Sequence, residues 1–196
     1  MYWYILFVMQ QPLLVMFLGS PGSGKSYFAR QLAEKIKAVR LNGDSMRMAI
    51  YGSVENIDCQ LSKDVVNQQT FGAIDYAVEQ ILAAGCSVVY DAHHNKRDHR
   101  AKNEKLAKQY AAVSILVWIK TPYEVALRRG QERAASADQR QHSEERMKES
   151  IARHMANFDA PVDGERVITI DGLVDFEKQY DSYLSQLAEC MTTSEK

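Results

Sequence analysis

Cysteine is scarce: Cys59, Cys86 and Cys190 are the only three in 196 residues, far apart and without Cys-x-x-Cys spacing. That count argues against a disulfide framework and against a zinc site, and reads as a reduced, cytoplasmic chain. An excess of one charge is also missing, with 24 Lys and Arg against 25 Asp and Glu and a net charge of −1. A protein living mainly on attraction to a phosphate backbone is usually basic, so a broad nucleic-acid footprint is not supported, whereas a local one remains open. No apolar run has membrane-spanning length. The run Tyr2 to Met9 stops at Gln10-Gln11-Pro12, well short of the roughly 20 residues a spanning helix needs. No basic segment precedes it, which makes it a poor signal peptide. It reads as an edge strand, a packed arm, or a leader upstream of a true start at Met9, and residues 1–12 count as an apolar extension. Repeats, low-complexity tracts and linkers are absent as well, so residues 1–196 read as a single domain.

What the chain does contain is an alternation of short apolar runs and amphipathic segments. Leu13 to Leu18 is a continuous apolar run ended by glycine, which suits a buried parallel strand. The spacing of Phe28, Leu32 and Ile36 predicts a helix over Lys25 to Lys37. Further strands are expected at Ala38–Leu41, Ser87–Tyr90, Val113–Ile119 and Arg166–Ile170. Helices are expected at Lys63–Ala84, closed by Gly85, and at Arg97–Tyr110. Another starts at Thr121-Pro122-Tyr123-Glu124, which is both a capping box and a Pro at the first helical position, and runs to about Ala134. Ser143 caps a helix with Met147, Ile151, Met155 and Phe158 on one face, and a last helix spans Asp175–Cys190. The fold class expected is α/β in three layers, with a parallel five-stranded sheet, helices on both faces, and a small helical lid over about 128–146.

The segment Gly19-Ser20-Pro21-Gly22-Ser23-Gly24-Lys25-Ser26 matches G-x-x-x-x-G-K-[ST] in full, between a buried strand and an amphipathic helix. Its glycines let backbone N–H groups converge on phosphate oxygens, and the helix N-terminus favours an anion. Residues Gly19 to Tyr27 are thus the expected ATP-binding segment. Lys25 can reach the β- and γ-phosphates, and Ser26 can offer its hydroxyl to Mg²⁺. Asp91, at the end of an apolar strand, is the second expected Mg²⁺-side residue, the alternative being a capping Asp.

After the second strand come Asp44 and Arg47, three residues apart and able to share a helical face. Asp44 could take a proton from an attacking hydroxyl; the alternative is an N-cap Asp in a surface ion pair. Arg128, Arg129 and Arg133 follow the fourth strand, with a polar segment after them that suits a lid closing on ATP. The loop histidines His93, His94 and His99 lack zinc-like spacing and read as polar loop residues. The basic residues between Lys96 and Lys108 could guide a nucleic-acid end or simply face solvent. Tyr27, Tyr51 and Phe71 could stack a base, with core or rim packing the default.

In the order GSPGSGKS, NGDSMR, VVYDAHHN, ALRRGQER, the chain resembles polynucleotide 5′-hydroxyl kinases over about Leu14 to Gly172 and, more distantly, zeta-toxin-type and small-metabolite kinases. The resemblance implies transfer of the γ-phosphoryl group of ATP to a hydroxyl acceptor, with a nucleic-acid or nucleotide 5′-hydroxyl slightly ahead of a metabolite or nucleotide-sugar. It implies Asp44 as general base, Arg47 on acceptor-side or γ-phosphate, Arg129 and Arg133 as lid arginines, and Asp91 beside acceptor and P-loop. Two departures from the family pattern are Ser45 after Asp44, where a second acid is frequent, and His93-His94 in the loop after Asp91. A non-kinase ATP-binding or ATPase module is the competing class, but it has no need of an acceptor base.

Overall fold

The computed structural model describes residues 11–52, 62–132 and 143–192. The apolar run 2–9, Cys59, Arg133 and most of the expected lid segment lie outside the described residues. Five strands form one parallel sheet: β1 (Leu13–Leu18), β2 (Val39–Asn42), β3 (Val88–Asp91), β4 (Val113–Lys120) and β5 (Val167–Asp171), in the spatial order β2-β3-β1-β4-β5. The helices are α1 (Lys25–Lys35), α2 (Gly43–Tyr51), α3 (Lys63–Ala83), α4 (Arg97–Gln109), α5 (Tyr123–Glu132), α6 (Glu144–Ala156) and α7 (Phe176–Thr192). The expected elements are all present, with ends shifted by a residue or two.

The alternation of side chains along β1 explains the three layers. Leu13, Val15 and Phe17 join one core with Phe28 and Leu32 of α1 and Tyr183 and Leu187 of α7. Leu14, Met16 and Leu18 join the other core, with Ile74, Val78 and Leu82 of α3 and Ala107 of α4. A strand apolar at every position therefore has both faces covered, which is what a central parallel strand requires. Burying each such side chain contributes about 1.5–3 kcal/mol. Phe28 is fully buried and packs against Phe17, Phe176 and Tyr183 at centroid distances of 6.4, 5.6 and 6.0 Å, which fixes α1 to both strand and closing helix.

Helix ends follow their local signals. Ser62 and Ser143 cap α3 and α6 by accepting from the amides of Val65 and Arg146. Past α3, Gly85 takes φ +74°, and the amides of Gly85 and Cys86 donate back to Leu82 and Ile81 carbonyls. The expected face of α6 holds for Met147 and Ile151, which are buried, but not for Met155, which is 70% exposed. Among the described residues no helix is long and apolar enough to cross a membrane.

Candidate active site

The crevice forms where the carboxyl ends of β1, β2 and β3 meet the starts of α1 and α2, the usual ligand position in open parallel sheets. The turn after β1 depends on two glycines. Gly19 has φ +141° and Gly22 φ +78°, and a Cβ on Gly22 would stand 2.0 Å from the Ala126 carbonyl oxygen of α5. Lys25 is buried to 8% exposure, and its ammonium donates to the Gly19 and Ser20 carbonyls, both at 2.7 Å. Among the described residues, α1 has neither a side-chain cap nor an acidic residue in its first turn. Its leading amides and the folded-back lysine thus make a cationic cradle opened by glycines, which fits an oligophosphate.

Asp91 connects this cradle to the neighbouring strand. Its Oδ1 accepts from the Ser26 hydroxyl at 3.0 Å, while Oδ2 accepts from Asn42 Nδ2 at 2.8 Å and from the guanidinium of Arg40 at 2.5 Å. A hydroxyl and a carboxylate oxygen side by side at the lysine end of the cradle form a hard, oxygen-only donor set, and this suits Mg²⁺ bound mainly through phosphate oxygens and water. Among the described residues there is no cluster of three or more His, Cys, Asp or Glu that would suit a tighter metal cage.

Asn42, which bonds Asp91, is also the N-cap of α2: its side chain accepts from the Ser45 amide at 2.9 Å. The cap reading for Asp44 is thereby corrected, since Asn42 holds that place. Asp44 sits one position inside the helix, where its Oδ1 accepts from Arg47 Nη1 at 2.9 Å. Arg47 also donates to Asn67 Oδ1 of α3 at 3.0 Å and lies 5.3 Å from the Phe71 ring centroid. The path Ser26–Asp91–Asn42 links the phosphate cradle to the first turn of the helix that carries the carboxylate and guanidinium.

From the other side, α5 braces the P-loop. The Thr121 hydroxyl, expected to cap α5, donates to the Ser23 carbonyl at 2.8 Å. Arg129 donates to the Gly172 carbonyl after β5 at 2.7 Å, and a Cβ on Gly24 would lie 3.9 Å from its Nη1, so Arg129 stands at the mouth of the cradle. Arg128 points elsewhere, 65% exposed and 4.0 Å from Glu132. Gly130 allows α6 to approach, since a Cβ there would meet the Met147 side chain at 2.1 Å. The companion role of Arg133 lies outside the described residues.

Of the histidines read as polar loop residues, His93 and His99 are exposed and His94 is not. His94 is 2% exposed; the Phe17 amide donates to its Nδ1 and its own amide donates to the Phe17 carbonyl. Burial lowers its pKa to about 4, against the ordinary 6.5. His93 faces the crevice, open to solvent yet densely surrounded, and the Lys25 charge first and desolvation second hold it well below its ordinary value. Arg100 of the basic helix α4 is 1% exposed and holds Glu165 at 2.6 Å and the carbonyls of His94 and Asp159. Lys102 pairs with Asp75 and Lys108 with Glu104. Tyr27 is 52% exposed, Tyr51 donates to Gln69, and Phe71 underlies Arg47, so the three possible stacking rings are rim or support residues.

Sequence reasoning missed Arg40, Asn67 and Gly172, and gave Thr121 only a helix-capping role. Arg40 and Asn67 reach the site through cross-element contacts that have no local pattern. Thr121 and Gly172 both follow directly on strand ends, the one position signal that could have singled them out.

The fold is shared with solved kinases at low sequence identity. A sugar kinase from Janibacter sp. HTCC2649 superposes with TM-score 0.63 and 19% identity, over 90% of this chain and 94% of that one. A gluconokinase from Sinorhizobium meliloti 1021 does so with TM-score 0.62 and 19% identity, over 96% and 99%. The Mycobacterium tuberculosis APS kinase in complex with AMPPNP and APS gives 0.61 and 18%, over 90% and 98%. No curated protein matches the chain in sequence. The AAA-domain family model matches residues 14–161, which span the phosphate cradle, α2 and α6, and the chain belongs to that family of P-loop proteins.

Proposed function

We propose that the chain is an ATP-dependent kinase acting on a hydroxyl of a small, polyhydroxylated metabolite. The observation that carries this is the Asp44–Arg47 pair on α2, tied through Asn42 and Asp91 to the phosphate cradle. A nucleotide switch needs the cradle but not a carboxylate beside it. Asp44 takes the proton of the acceptor hydroxyl as its oxygen bonds to the γ-phosphorus and the bond to the bridging oxygen of the leaving ADP breaks. Lys25 and the amides at the start of α1 meet the charge that builds on the β- and γ-oxygens. Arg47 orients the base and the acceptor, and Arg129 stands where it can meet charge on the transferring group. Mg²⁺, held on the Ser26–Asp91 side, supplies further charge neutralisation to the phosphates when bound.

The acceptor class rests on chemistry around the crevice. Of the basic residues of α4, Arg100 is buried on Glu165, while Lys102 and Lys108 stay exposed in surface pairs with Asp75 and Glu104, so the helix lends a nucleic-acid end limited support. The structural relatives named as sugar kinase and gluconokinase support a small polyol or sugar acid in the same place. The test is a γ-labelled ATP transfer screen over sugars, sugar acids, nucleosides and 5′-hydroxyl oligonucleotides, run with and without Mg²⁺. Transfer to a sugar or sugar acid is expected. Preferential labelling of oligonucleotide ends would replace this acceptor class with the 5′-hydroxyl one, and phosphate release unaffected by every acceptor would replace the kinase with an ATPase.

A further inference from the structure

His154, near the end of α6, belongs to none of the motifs above, yet it stands at the same crevice. Its ring lies 6.4 Å from that of His93 and 5.5 Å from Phe158, which in turn packs on Trp118 at 5.6 Å. His93 and Asn95 follow Asp91 in the loop that leaves β3, so the His154 ring beside them stands at the carboxyl end of the sheet, and the Lys25 charge depresses the basicity of both histidines. His154 is half-buried, and its Nδ1 lies 2.7 Å from Asn95 Nδ2. With the Asn95 amide donating across this contact, Nδ1 is the bare nitrogen and Nε2 carries the hydrogen. Desolvation first, and the Lys25 charge second, bring the pKa to about 4, so the ring is neutral at pH 7. Asn95 is held in turn, because its backbone carbonyl accepts from buried Arg100 and from the Asp159 amide.

We propose that His154 is an acceptor-binding residue: its Nε2–H, fixed in that tautomer by Asn95, donates a hydrogen bond to a non-reacting oxygen of the polyol while a second hydroxyl faces Asp44. This rests on the kinase reading above. A neutral donor on an aromatic wall suits an oxygen-rich carbon chain, whose hydroxyls take the hydrogen bond and whose C–H faces pack on the rings of His154 and Phe158. His154 has no part in the proton transfer, so its removal weakens acceptor binding and leaves the chemical step largely intact.

Two measurements on the full chain test this separately. In imidazole ¹⁵N spectra at pH 7, with His154 assigned by comparison with His154→Gln, Nε2 is expected to be protonated and Nδ1 bare. An Nδ1–H tautomer or a doubly protonated ring would overturn the proposal whatever the activity. In transfer assays with D-gluconate and D-glucose as probes, His154→Phe should raise the KM for the accepted probe roughly ten-fold, as for loss of one hydrogen bond. The KM for ATP and kcat should stay within about two-fold. His154→Gln, which keeps an N–H near the Nε2 position, should recover most of the loss. An unchanged acceptor KM in a folded His154→Phe, or a fall in kcat alone, would overturn it. Transfer to neither probe by the wild-type chain would instead sink the acceptor class of the previous subsection, while the tautomer still decides whether His154 offers the donor.

Discussion

Asp44, Lys25 and Arg129 occupy different sides of one crevice, so replacing each should leave a different kinetic mark. Asp44→Asn keeps size and polarity and loses the basic oxygen. Transfer at saturating acceptor should fall by about 10²–10⁴, while Mg·ATP affinity measured by calorimetry stays nearly unchanged, because Asp44 lies on α2 rather than in the cradle. Loss of ATP binding would move Asp44 to the nucleotide side. Lys25→Ala should abolish transfer, since it removes the buried ammonium that gathers the Gly19 and Ser20 carbonyls. Detectable turnover at the wild-type rate would remove the P-loop from the chemistry. These three residues were legible in the sequence because each sits in a contiguous motif. Arg40 was not, since its partner Asp91 is 51 residues away and the contact exists only once β2 lies beside β3.

At the scale of elements, the P-loop is shaped as much by α5 as by its own sequence. Gly22 has Ala126 of α5 directly against it, and Thr121 holds Ser23 from the start of the same helix. Gly22→Ala combines a positive φ with a clash against backbone, which cannot move aside as a side chain could. It should weaken ATP binding by an order of magnitude or more, and wild-type affinity by calorimetry would show that α5 yields to the loop. Thr121→Val is nearly isosteric and deletes one hydrogen bond. A stability loss of about 1 kcal/mol in urea unfolding is expected, with weaker ATP binding beside it. An unaltered midpoint would mean that the Ser23 carbonyl is served equally well by water. The sequence marked Thr121-Pro122 correctly as a helix start. The target of the threonine hydroxyl could not be read there, because a capping box describes a helix alone and not what packs against its first turn.

For the whole molecule, His94 couples the loop after β3 to the central strand and sets a pH dependence. Its folded pKa of about 4 lies below the ordinary 6.5, so between those values the unfolded chain binds a proton that the folded one refuses. Stability from this group is fully present above about pH 6.5 and is lost as pH falls towards 4, with a slope of up to about 1.4 kcal/mol per pH unit in that window. Urea unfolding at pH 7 and pH 5 should show the loss in the wild-type chain, and a smaller one in His94→Gln once its own lower baseline is subtracted. Equal slopes would assign the acid lability to other groups. The sequence by itself determined the alternation of strand and helix, the parallel sheet and the phosphate cradle, because hydrophobic period, glycine placement and helix-start signals act over a few neighbouring residues. Only the tertiary structure decided that Asp91 is shared between Ser26, Arg40 and Asn42, that His94 is a buried tie within its loop, and that His154 stands beside the loop after β3. Those contacts join residues from separate strands and helices, and their energies depend on burial and distance, which arise only when the layers close on the sheet.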